Sequence, residues 1–498
     1  MYKIKIYLFM LSLLMAIFFY SSCSQPKALT ILHTNDIHSN FLPHEAAWIR
    51  DNPKPQIGGF KELYFVADSI KKIKNVLMLD AGDVMTGNPI TEYKYKGALG
   101  GALFEMMNMI GYEVWCPGNH DFDISQDNFV KLTKIAKFPT VSANLVNNEG
   151  KNHLNNLPYI IVDKGGIKIG IIGIISQDLY GLVNQNNLVG IRVLSPIETL
   201  QKYINEIDPK TDLIIALTHQ GVFDDSVLAI NVRGLDIIIG AHSHTRLTKP
   251  KLINDVIIAQ AGGNGENLGE LELFIEKDKV ASFNGKLIPL WFRADRPKNQ
   301  LSSLVDSMET TIEKDYSEII GILKSDWKRG SGESGIGNFI VDAQRIAAKT
   351  DIAFMNNHGI RRDLPAGQMS KKDLFEVLPF YNILTTFQLS GQQIKSIVKY
   401  YIKEKSPIQF SGIKCQWTKK EGDIEFLKLD IQGKPIEDDR NYSAAASDYF
   451  IGEAKRYLGL EINNAIQLNM KVFDEVRKVV LNTKEIDSKI ENRIEEIK

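Results

Sequence analysis

The sequence is poor in cysteine, with three in 498 residues. Cys23 falls in the N-terminal segment, which leaves Cys116 and Cys415 for the rest of the chain. Two thiols can form one disulfide at most, and this excludes the disulfide-rich scaffolds of small secreted proteins. Cys116 lies inside an apolar run, so we predict a buried core thiol there and not a metal ligand.

The chain also lacks an excess of charge of either sign. Its 59 Lys and Arg residues nearly balance its 60 Asp and Glu residues, which gives a formal net charge of −1. A protein without a positive field gains little from neutralising the phosphates of a polynucleotide, so the sequence predicts no polynucleotide partner. A small phosphate ligand held by local contacts is compatible with this balance.

The N-terminal residues have the pattern of a secretory signal. Two lysines precede an apolar run from Ile6 to about Tyr20, and small residues and Cys23 follow. Residues 1–22 are predicted to be a signal peptide of the lipoprotein type, because "YSSC" resembles the bacterial box in which the cysteine is acylated. The alternative is an uncleaved anchor helix, for which the run is short. Both predict an exported, membrane-anchored protein that faces the periplasm or the cell surface.

From Leu29 to about Phe292, short apolar runs alternate with segments of helical periodicity. Runs rich in Val, Ile and Leu that are apolar at every position are typical of strands buried on both faces of a sheet. The pattern predicts an α/β protein whose first domain, residues 23–296, is an α/β/α sandwich.

The remaining residues predict a second unit, in agreement with the length of the chain. Residues 297–317 are predicted to be a linker helix, and residues 318–498 a smaller α+β domain. The final stretch, "TKEIDSKIENRIEEIK", is predicted to be a charged, solvated helix. We expect a monomer.

Polar side chains directly follow five of the predicted strands in the first domain. Open α/β sheets bind ligands at the carboxyl edge of their strands, so we expect these side chains to meet. Each motif alone is weak, since a Gly-Asp after a strand is usually a turn. The His-x-His pair is stronger, because alternate residues of an extended segment point the same way. The candidates in chain order are Asp36, His38, Asp83, Asn119, His120, Asp121, Asp123, His219, His242 and His244.

The donors in this set are carboxylates, imidazoles and an amide oxygen. Such ligands suit Zn, Mn or Fe, and the lack of thiolate argues against a structural zinc site. The set is large enough to hold two divalent metal ions, with one carboxylate bridging them. Two ions about 3.5–4 Å apart polarise a phosphoryl oxygen and activate water near neutral pH.

The order D-x-H, G-D, G-N-H-D, H and G-x-H-x-H resembles the calcineurin-like metallophosphoesterases. The strings "ILHTNDIHS", "GNHDFD" and "HSH" are similar to the branch of 5′-nucleotidases and UDP-sugar hydrolases. "SGIGNFIVDA", "NNHGIR", "LPF" and "FSGIK" resemble the C-terminal domain of that branch, and the likeness covers about residues 28–450. It implies one metal held by Asp36, His38 and His244, a second held by Asn119, His219 and His242, and a bridge through Asp83.

The resemblance also makes His120 and Asp123 a catalytic dyad. His120 would face the phosphoryl group, and the carboxylate of Asp123 would fix the tautomer of the imidazole and raise its pKa. An imidazolium in that place stabilises the charge that grows in the transition state. The alternative for His120 is that it only positions Asn119. For Asp121 we expect a supporting role.

In the second domain the resemblance assigns substrate binding to Asn356, Arg361 and Phe380, with Phe380 stacking on a nucleobase. A further substrate arginine of the family has Arg329 as its candidate, although Lys328 and Arg329 are out of clean register with it.

Two further departures from the family pattern concern the base-binding side. His358 replaces a glycine of the recognition loop. The glycine-rich loop before a second stacking aromatic is missing, and Tyr449, Phe450 and Tyr457 are the candidates in its place. Tight nucleoside specificity is therefore not predicted.

These expectations combine into an exported, 5′-nucleotidase-like phosphoric ester hydrolase. It would hydrolyse nucleoside 5′-monophosphates to nucleoside and phosphate by in-line attack of metal-bound water. The alternatives within the branch are a UDP-sugar pyrophosphohydrolase and a 2′,3′-cyclic-nucleotide phosphodiesterase. The alternative from another class is a lipoprotein that binds nucleotides without turnover.

Overall fold

The structure, a computed structural model, describes residues 26–46, 48–51, 53–276, 278–420 and 422–497. The predicted signal peptide and Cys23 lie outside these ranges. Within them, no helix has both the length and the apolar character needed to cross a bilayer. Cys116 is free and buried, as predicted.

The first domain is built on two β-sheets packed face to face. In the first sheet three neighbouring strands run parallel, and two further strands in antiparallel pairing extend it on one side. In the second sheet four parallel strands have an antiparallel strand at each edge. The first sheet has the spatial order Lys279–Pro289, Asn267–Glu276, Lys27–Thr34, Val76–Asp80 and Val114–Trp115. The second has the order Lys251–Ile253, Val256–Ala259, Ile237–Ile239, Leu213–His219, Lys168–Ile175 and Tyr159–Asp163.

Alternation along the strands divides the apolar side chains between two layers. In the first sheet Ile31 and Leu79 face the second sheet, where they pack with residues such as Leu217. Leu32 and Met78 face the opposite way, against helices. Because both faces of each sheet are covered, the sequences of the strands are nearly continuous apolar runs.

Helices cover the outer face of each sheet, which confirms the predicted α/β architecture and shows that its middle layer is a pair of sheets. The helices on the first sheet are Phe60–Lys71, Gly101–Ile110, Gln126–Ile135 and Gln300–Tyr316. Those on the second are Pro196–Ile207 and Val222–Asn231.

The helix Gln300–Tyr316 lies in the segment predicted as a linker. Asn299 and Ser302 form a capping box at its start, and each side chain satisfies a backbone N–H of the other residue. Its buried side chains, including Leu301 and Val305, join the core beneath the first sheet. The connection between the two domains is therefore packed against the first domain.

The second domain contains three sheets and a set of helices. The largest sheet has the order Ile408–Ser411, Ile352–Asn356, Asn441–Ser447, Ile383–Ser390 and Ile466–Lys471. The smaller ones are Gly367–Ser370, Ile319–Leu323 and Glu485–Ile486, and then Lys434–Pro435, Asp423–Ile431, Ile413–Lys420 and Ile494–Glu496. The helices are Gly335–Ala348, Lys371–Val377, Gly391–Glu404, Asp448–Gly452, Ala454–Leu458 and Val472–Thr483.

Short elements fill the connections. The paired strands are His44–Glu45 with Gln56–Ile57, Lys94–Tyr95 with Ala98–Leu99, and Leu145–Asn147 with Ile191–Val193. One turn of α-helix forms at Leu179–Leu182. The 3₁₀ helices are Pro89–Glu92, His120–Phe122, Gln185–Leu188, Asp208–Lys210 and Asn357–Gly359.

The prediction of a solvated helix at the C-terminal end was wrong. The helix ends at Thr483, and the chain then adds one strand to each of the two smaller sheets. The strand Ile494–Glu496 pairs with Cys415–Trp417, and the buried Arg493 forms a two-pronged ion pair with Asp342. Strand pairing and this ion pair, both long-range contacts, outweigh the local helical tendency of a charged segment.

Candidate active site

The predicted donors converge where the strands of the first domain end. Thr34, Asp80 and Trp115 are the last residues of three neighbouring parallel strands, and they lie side by side in the register of the first sheet. The strand Leu213–His219 ends at the corresponding edge of the second sheet. Because the two sheets pack together, the loops that follow these strands meet over one spot.

Three groups of side chains there offer ligand atoms within 4.8 Å of one another. His38 and Asp83 each belong to two groups, so the three groups form one continuous cluster. The groups are Asp36, His38 and His244; His38, Asp83 and His120; and Asp83, His219 and His242.

The arrangement of donors fits metal ions. His38 binds the Thr86 carbonyl through Nδ1 (3.1 Å), so its Nε2 presents a lone pair, and it lies 3.1 Å from Nε2 of His244. Two imidazole lone pairs at that distance repel each other unless a proton or a cation lies between them. Oδ1 of Asn119 is buried and has no hydrogen-bond partner within the described residues. An unpartnered buried oxygen is costly, and a cation would satisfy it.

The pKa shifts of three of the donors agree with this assignment, whereas the neighbouring Asp83 outweighs the effect of burial on His219 and raises its pKa to about 10. Burial lowers the pKa of His242 and of His244 to about 4, which keeps both imidazoles in the neutral form that binds metals. Burial opposes ionisation of Asp83, but the neighbouring His219 and His120 outweigh it and hold its pKa well below the usual range. A charged carboxylate therefore lies at the centre of the cluster.

The backbone at the donors adopts a conformation that non-glycine residues rarely take. The φ angles of five of the seven predicted ligands lie between 48° and 74°, in the left-handed region. Such residues cost of order 1–3 kcal/mol each and cluster at functional sites. The five are Asp36, His38, Asp83, His242 and His244.

The loop that follows the strand Val114–Trp115 is tightly packed against the loop of Asp83. A Cβ atom at Gly118 would lie 2.2 Å from Oδ1 of Asp83, so only glycine fits there. Asp121 accepts hydrogen bonds from four backbone N–H groups, and the supporting contacts expected of it are present. The donors are the N–H groups of Asp83, Val84, Met85 and Gly118, at 2.7–3.1 Å.

His120 and Asp123 form a hydrogen-bonded pair, with 2.7 Å between Nδ1 and Oδ2. The 3₁₀ helix His120–Phe122 brings residues three apart onto one side. Burial lowers the pKa of His120, but Asp123 and Asp83 outweigh it, so the net shift is upward. The imidazole can therefore carry a positive charge beside the cluster.

Sequence reasoning missed Gln260, which holds the His-x-His loop. Its Nε2 donates to the carbonyl of Ala241 (2.9 Å), and its Oε1 accepts from the Ser243 hydroxyl (3.0 Å) and from the Thr245 N–H. The sequence contains a signal that could have identified this residue, since Gln260 directly follows the apolar strand Val256–Ala259. That strand is a further parallel strand of the second sheet, beyond the five that the sequence singled out.

A cavity of about 360 Å³ joins the cluster to the second domain. This size is within the range of small-molecule sites. The residues from the first domain include Asp83, Asn119, His120, Asp123, Asn184, His242 and His244. Those from the second include Asn356, His358, Arg361, Phe380, Tyr449, Arg456 and Tyr457.

The cavity therefore contains three of the four predicted substrate residues: Asn356, Arg361 and Phe380. The fourth, Arg329, lies outside its lining and is half exposed. Its guanidinium donates to Asp363 (3.0 Å) and to the carbonyl of Arg361 (3.0 Å). In the structure Arg329 thus holds the loop that carries Arg361.

Two of the three aromatic candidates for the missing glycine-rich loop reach the cavity. Tyr449 and Tyr457 line it, whereas Phe450 is buried and stacks on Phe354 and Tyr457. The loop is replaced by the short helices Asp448–Gly452 and Ala454–Leu458.

Comparisons with known proteins agree with this geometry. Residues 29–246 match the calcineurin-like phosphoesterases, and residues 315–458 match the 5′-nucleotidase C-terminal domain. A 5′-nucleotidase of Vibrio cholerae serotype O1 is 28% identical over 472 residues, which cover 83% of each chain.

Solved structures show the same fold. A 5′-nucleotidase precursor from Thermus thermophilus superposes with a TM-score of 0.80 at 24% identity, covering 95% of this chain and 99% of its own. The sulfate thiohydrolase SoxB of the same organism has a TM-score of 0.74 at 16% identity, covering 94% and 96%. These two likenesses establish the fold and leave the substrate open.

The class of protein is thus defined: the chain is a metal-dependent phosphoester hydrolase with a calcineurin-like domain. It belongs to the 5′-nucleotidase family, in which that domain precedes a 5′-nucleotidase C-terminal domain.

Proposed function

We propose that the protein is an exported phosphomonoesterase that hydrolyses nucleoside 5′-monophosphates to nucleoside and phosphate. The observation that carries the proposal is a cavity lined by side chains of the donor cluster on one side and by Asn356, Arg361 and Phe380 on the other. A phosphoryl group at the donors and a base near Phe380 would occupy one continuous space.

Seven side chains would hold two divalent ions. Asp36, His38 and His244 would bind one, Asn119, His219 and His242 the other, and Asp83 would bridge. When bound, such ions supply Lewis acidity at the phosphoryl group and lower the pKa of water.

The protein's own groups account for charge and orientation. His120, protonated and oriented by Asp123, would place a positive charge beside the phosphoryl oxygens, where negative charge grows. The guanidinium of Arg361 makes no hydrogen bond or ion pair with any described residue, so it is available to an anionic substrate. Phe380 offers an aromatic face for a base.

A substrate panel with defined metals tests the proposal. Purified protein is freed of metal, reloaded with Zn, Mn or Fe, and assayed for phosphate release from AMP, UDP-glucose and 2′,3′-cyclic AMP. We expect AMP to be hydrolysed fastest. A faster reaction with UDP-glucose or the cyclic nucleotide would replace the proposed substrate with that one. Bound metal without turnover of any of them would favour a nucleotide-binding lipoprotein.

Export and anchoring rest on residues 1–22 and Cys23. We expect the wild-type protein in the membrane fraction after cell lysis, and a Cys23→Ala variant to lose acylation. An unlabelled wild-type protein after growth with a radioactive fatty acid would contradict lipidation.

A further inference from the structure

The segment Leu179–Leu188 lies between the dyad and the second domain. It consists of one helical turn, a bend and the 3₁₀ helix Gln185–Leu188. Leu182 and Asn184 line the cavity, but none of its side chains belongs to the metal cluster. Its polar side chains contact the dyad loop on one side and the second domain on the other.

On one side Asn187 holds the backbone of the dyad. Its Nδ2 donates to the carbonyl of Phe122 (3.0 Å) and to the carbonyl of Asp123 (2.9 Å). These carbonyls lie at the end of the 3₁₀ helix that begins with His120, where carbonyls lack partners within the helix. One amide group thus uses both of its hydrogens to fix the turn that brings Asp123 to His120.

On the other side Asn184 contacts the second domain through a hydrogen bond. Its Oδ1 caps the helix of Asn187 by accepting from the N–H of Asn186 (3.0 Å). Its Nδ2 donates to Oδ2 of Asp448 (2.5 Å), and the hydroxyl of Tyr449 donates to the carbonyl of Gly181 (3.2 Å).

The contacts continue back to the dyad. Oδ1 of Asp448 accepts from the N–H of Ile383 (3.0 Å), three residues after Phe380. The ring of Phe380 stacks on the imidazole of His120, with centroids 5.6 Å apart. Contacts around the cavity therefore connect the dyad to the segment Leu179–Leu188, the segment to the second domain, and the second domain back to the dyad.

We infer that Asn187 is a positioning residue for the His120–Asp123 dyad, and that Asn184 couples this positioning to docking of the second domain. The inference rests on the catalytic role proposed for the dyad. A misplacement of about 1 Å in an active site can lower the rate by as much as 100-fold. On the side of the segment Leu179–Leu188, the amide of Asn187 is the contact that prevents such a shift of the dyad.

The first test compares neighbouring asparagines in the full, metal-loaded protein. Asn187→Ala should lower kcat with p-nitrophenyl phosphate about tenfold at nearly constant KM. Asn186→Ala is the matched control, because its side chain is exposed and makes no hydrogen bond among the described residues, and it should retain wild-type kcat. Equal losses in the two variants, or none in Asn187→Ala, would overturn the inference.

A double-mutant cycle separates positioning from a general loss of structure. If Asn187 acts through the dyad, Asn187→Ala should cost little when His120 is already alanine. A tenfold loss that persists in the His120→Ala background would contradict the inference, as would a full loss of activity in Asn187→Gln if Asn187→Ala is folded and active.

The coupling is tested with two variants: Asn184→Ala removes the contact with Asp448 together with the helix cap, and Tyr449→Phe removes only a contact between the domains. We expect kcat with AMP to fall several-fold in Asn184→Ala, and Tyr449→Phe to shift it in the same direction. Wild-type kcat in both variants would overturn the coupling. An inactive wild-type protein would instead refute the proposed function, so the two failures are distinguishable.

Discussion

The ring of Phe380 in the second domain stacks on the imidazole of His120 in the first, with a plane angle of 23°. The guanidinium of Arg361 lies 5.6 Å from the centroid of the Phe380 ring. The residue assigned to the base thus directly contacts the residue assigned to the phosphoryl group, so substrate binding and chemistry share one wall of the cavity.

Truncation of this aromatic should therefore depend on the substrate. Phe380→Ala should raise KM for AMP about tenfold, because stacking on a base contributes roughly 1–3 kcal/mol. With p-nitrophenyl phosphate, which has no nucleobase, KM should change less than threefold. Steady-state kinetics with both substrates measure this, and an equal rise in the two KM values would contradict base stacking by Phe380.

The hydrogen bond between His120 and Asp123 gives a second prediction. Asp123→Asn keeps the size of the side chain but removes the charge that raises the pKa of His120. We expect kcat for AMP to fall about 100-fold, within the range for loss of general acid–base or electrostatic help. Asp127→Asn is a suitable control, because Asp127 is 76% exposed and paired with Lys131 on the protein surface. A kcat within twofold of wild type in Asp123→Asn would argue against the dyad.

Metal removal should lower thermal stability, independently of activity. Without cations, Nε2 of His38 and of His244 face each other at 3.1 Å, and Oδ1 of Asn119 has no partner among the described residues. A ligand at 1,000 times its Kd stabilises the folded state by about 4 kcal/mol. Calorimetry should show a lower Tm after chelation, restored by Zn or Mn.

The matched variants for this experiment are His244→Ala and His153→Ala. The first should reduce the metal-dependent rise in Tm, and the second should leave it unchanged, because His153 is outside the donor groups. A chelator-insensitive Tm in the wild-type protein would be inconsistent with resident metal ions.

The side chains of the donor cluster could be predicted because their signal is local. Each lies within a few residues of an apolar strand, so the alternation of sequence pattern reveals both the strand and its polar end. Asp36, Asp83 and His219 are of this kind. Gln260 has the same signal, but an uncharged amide after a strand draws less attention than a histidine or a carboxylate.

Contacts that depend on tertiary placement could not be predicted. Asn187 sits in an asparagine-rich stretch with nothing to set it apart from Asn186, and only the fold brings it to the dyad. The stacking of Phe380 on His120 joins residues 260 positions apart and depends on how the domains dock. The pairing of the C-terminal strands is equally non-local.

Asp121 supplies a stability prediction. Its carboxylate accepts from four backbone N–H groups that shape the loops of Asp83 and Asn119. Asp121→Ala leaves these buried donors without an acceptor, and we expect a loss of about 3 kcal/mol in the free energy of unfolding together with lower metal affinity. Asp121→Asn retains one acceptor oxygen and should lose less. Urea denaturation measures the difference, and an Asp121→Ala variant as stable as wild type would refute a supporting role.

The last prediction concerns Arg493, within the segment predicted as a solvated helix. Its guanidinium is 7% exposed and donates to both carboxylate oxygens of Asp342, at 2.9 and 2.7 Å. Removing one partner of a buried ion pair is strongly destabilising, and since Asp342 remains 36% exposed we expect Arg493→Ala to cost about 2 kcal/mol.

The matched control is Arg440→Ala, since Arg440 is 49% exposed and its partner Glu437 is 68% exposed. Exposed pairs contribute little, so this variant should lose less than about 1 kcal/mol. Urea denaturation of the two variants tests the comparison. Equal losses would mean that the ion pair of Arg493 adds no more than a surface pair does, and that the C-terminal strand is held by its other contacts, such as its pairing with Cys415–Trp417.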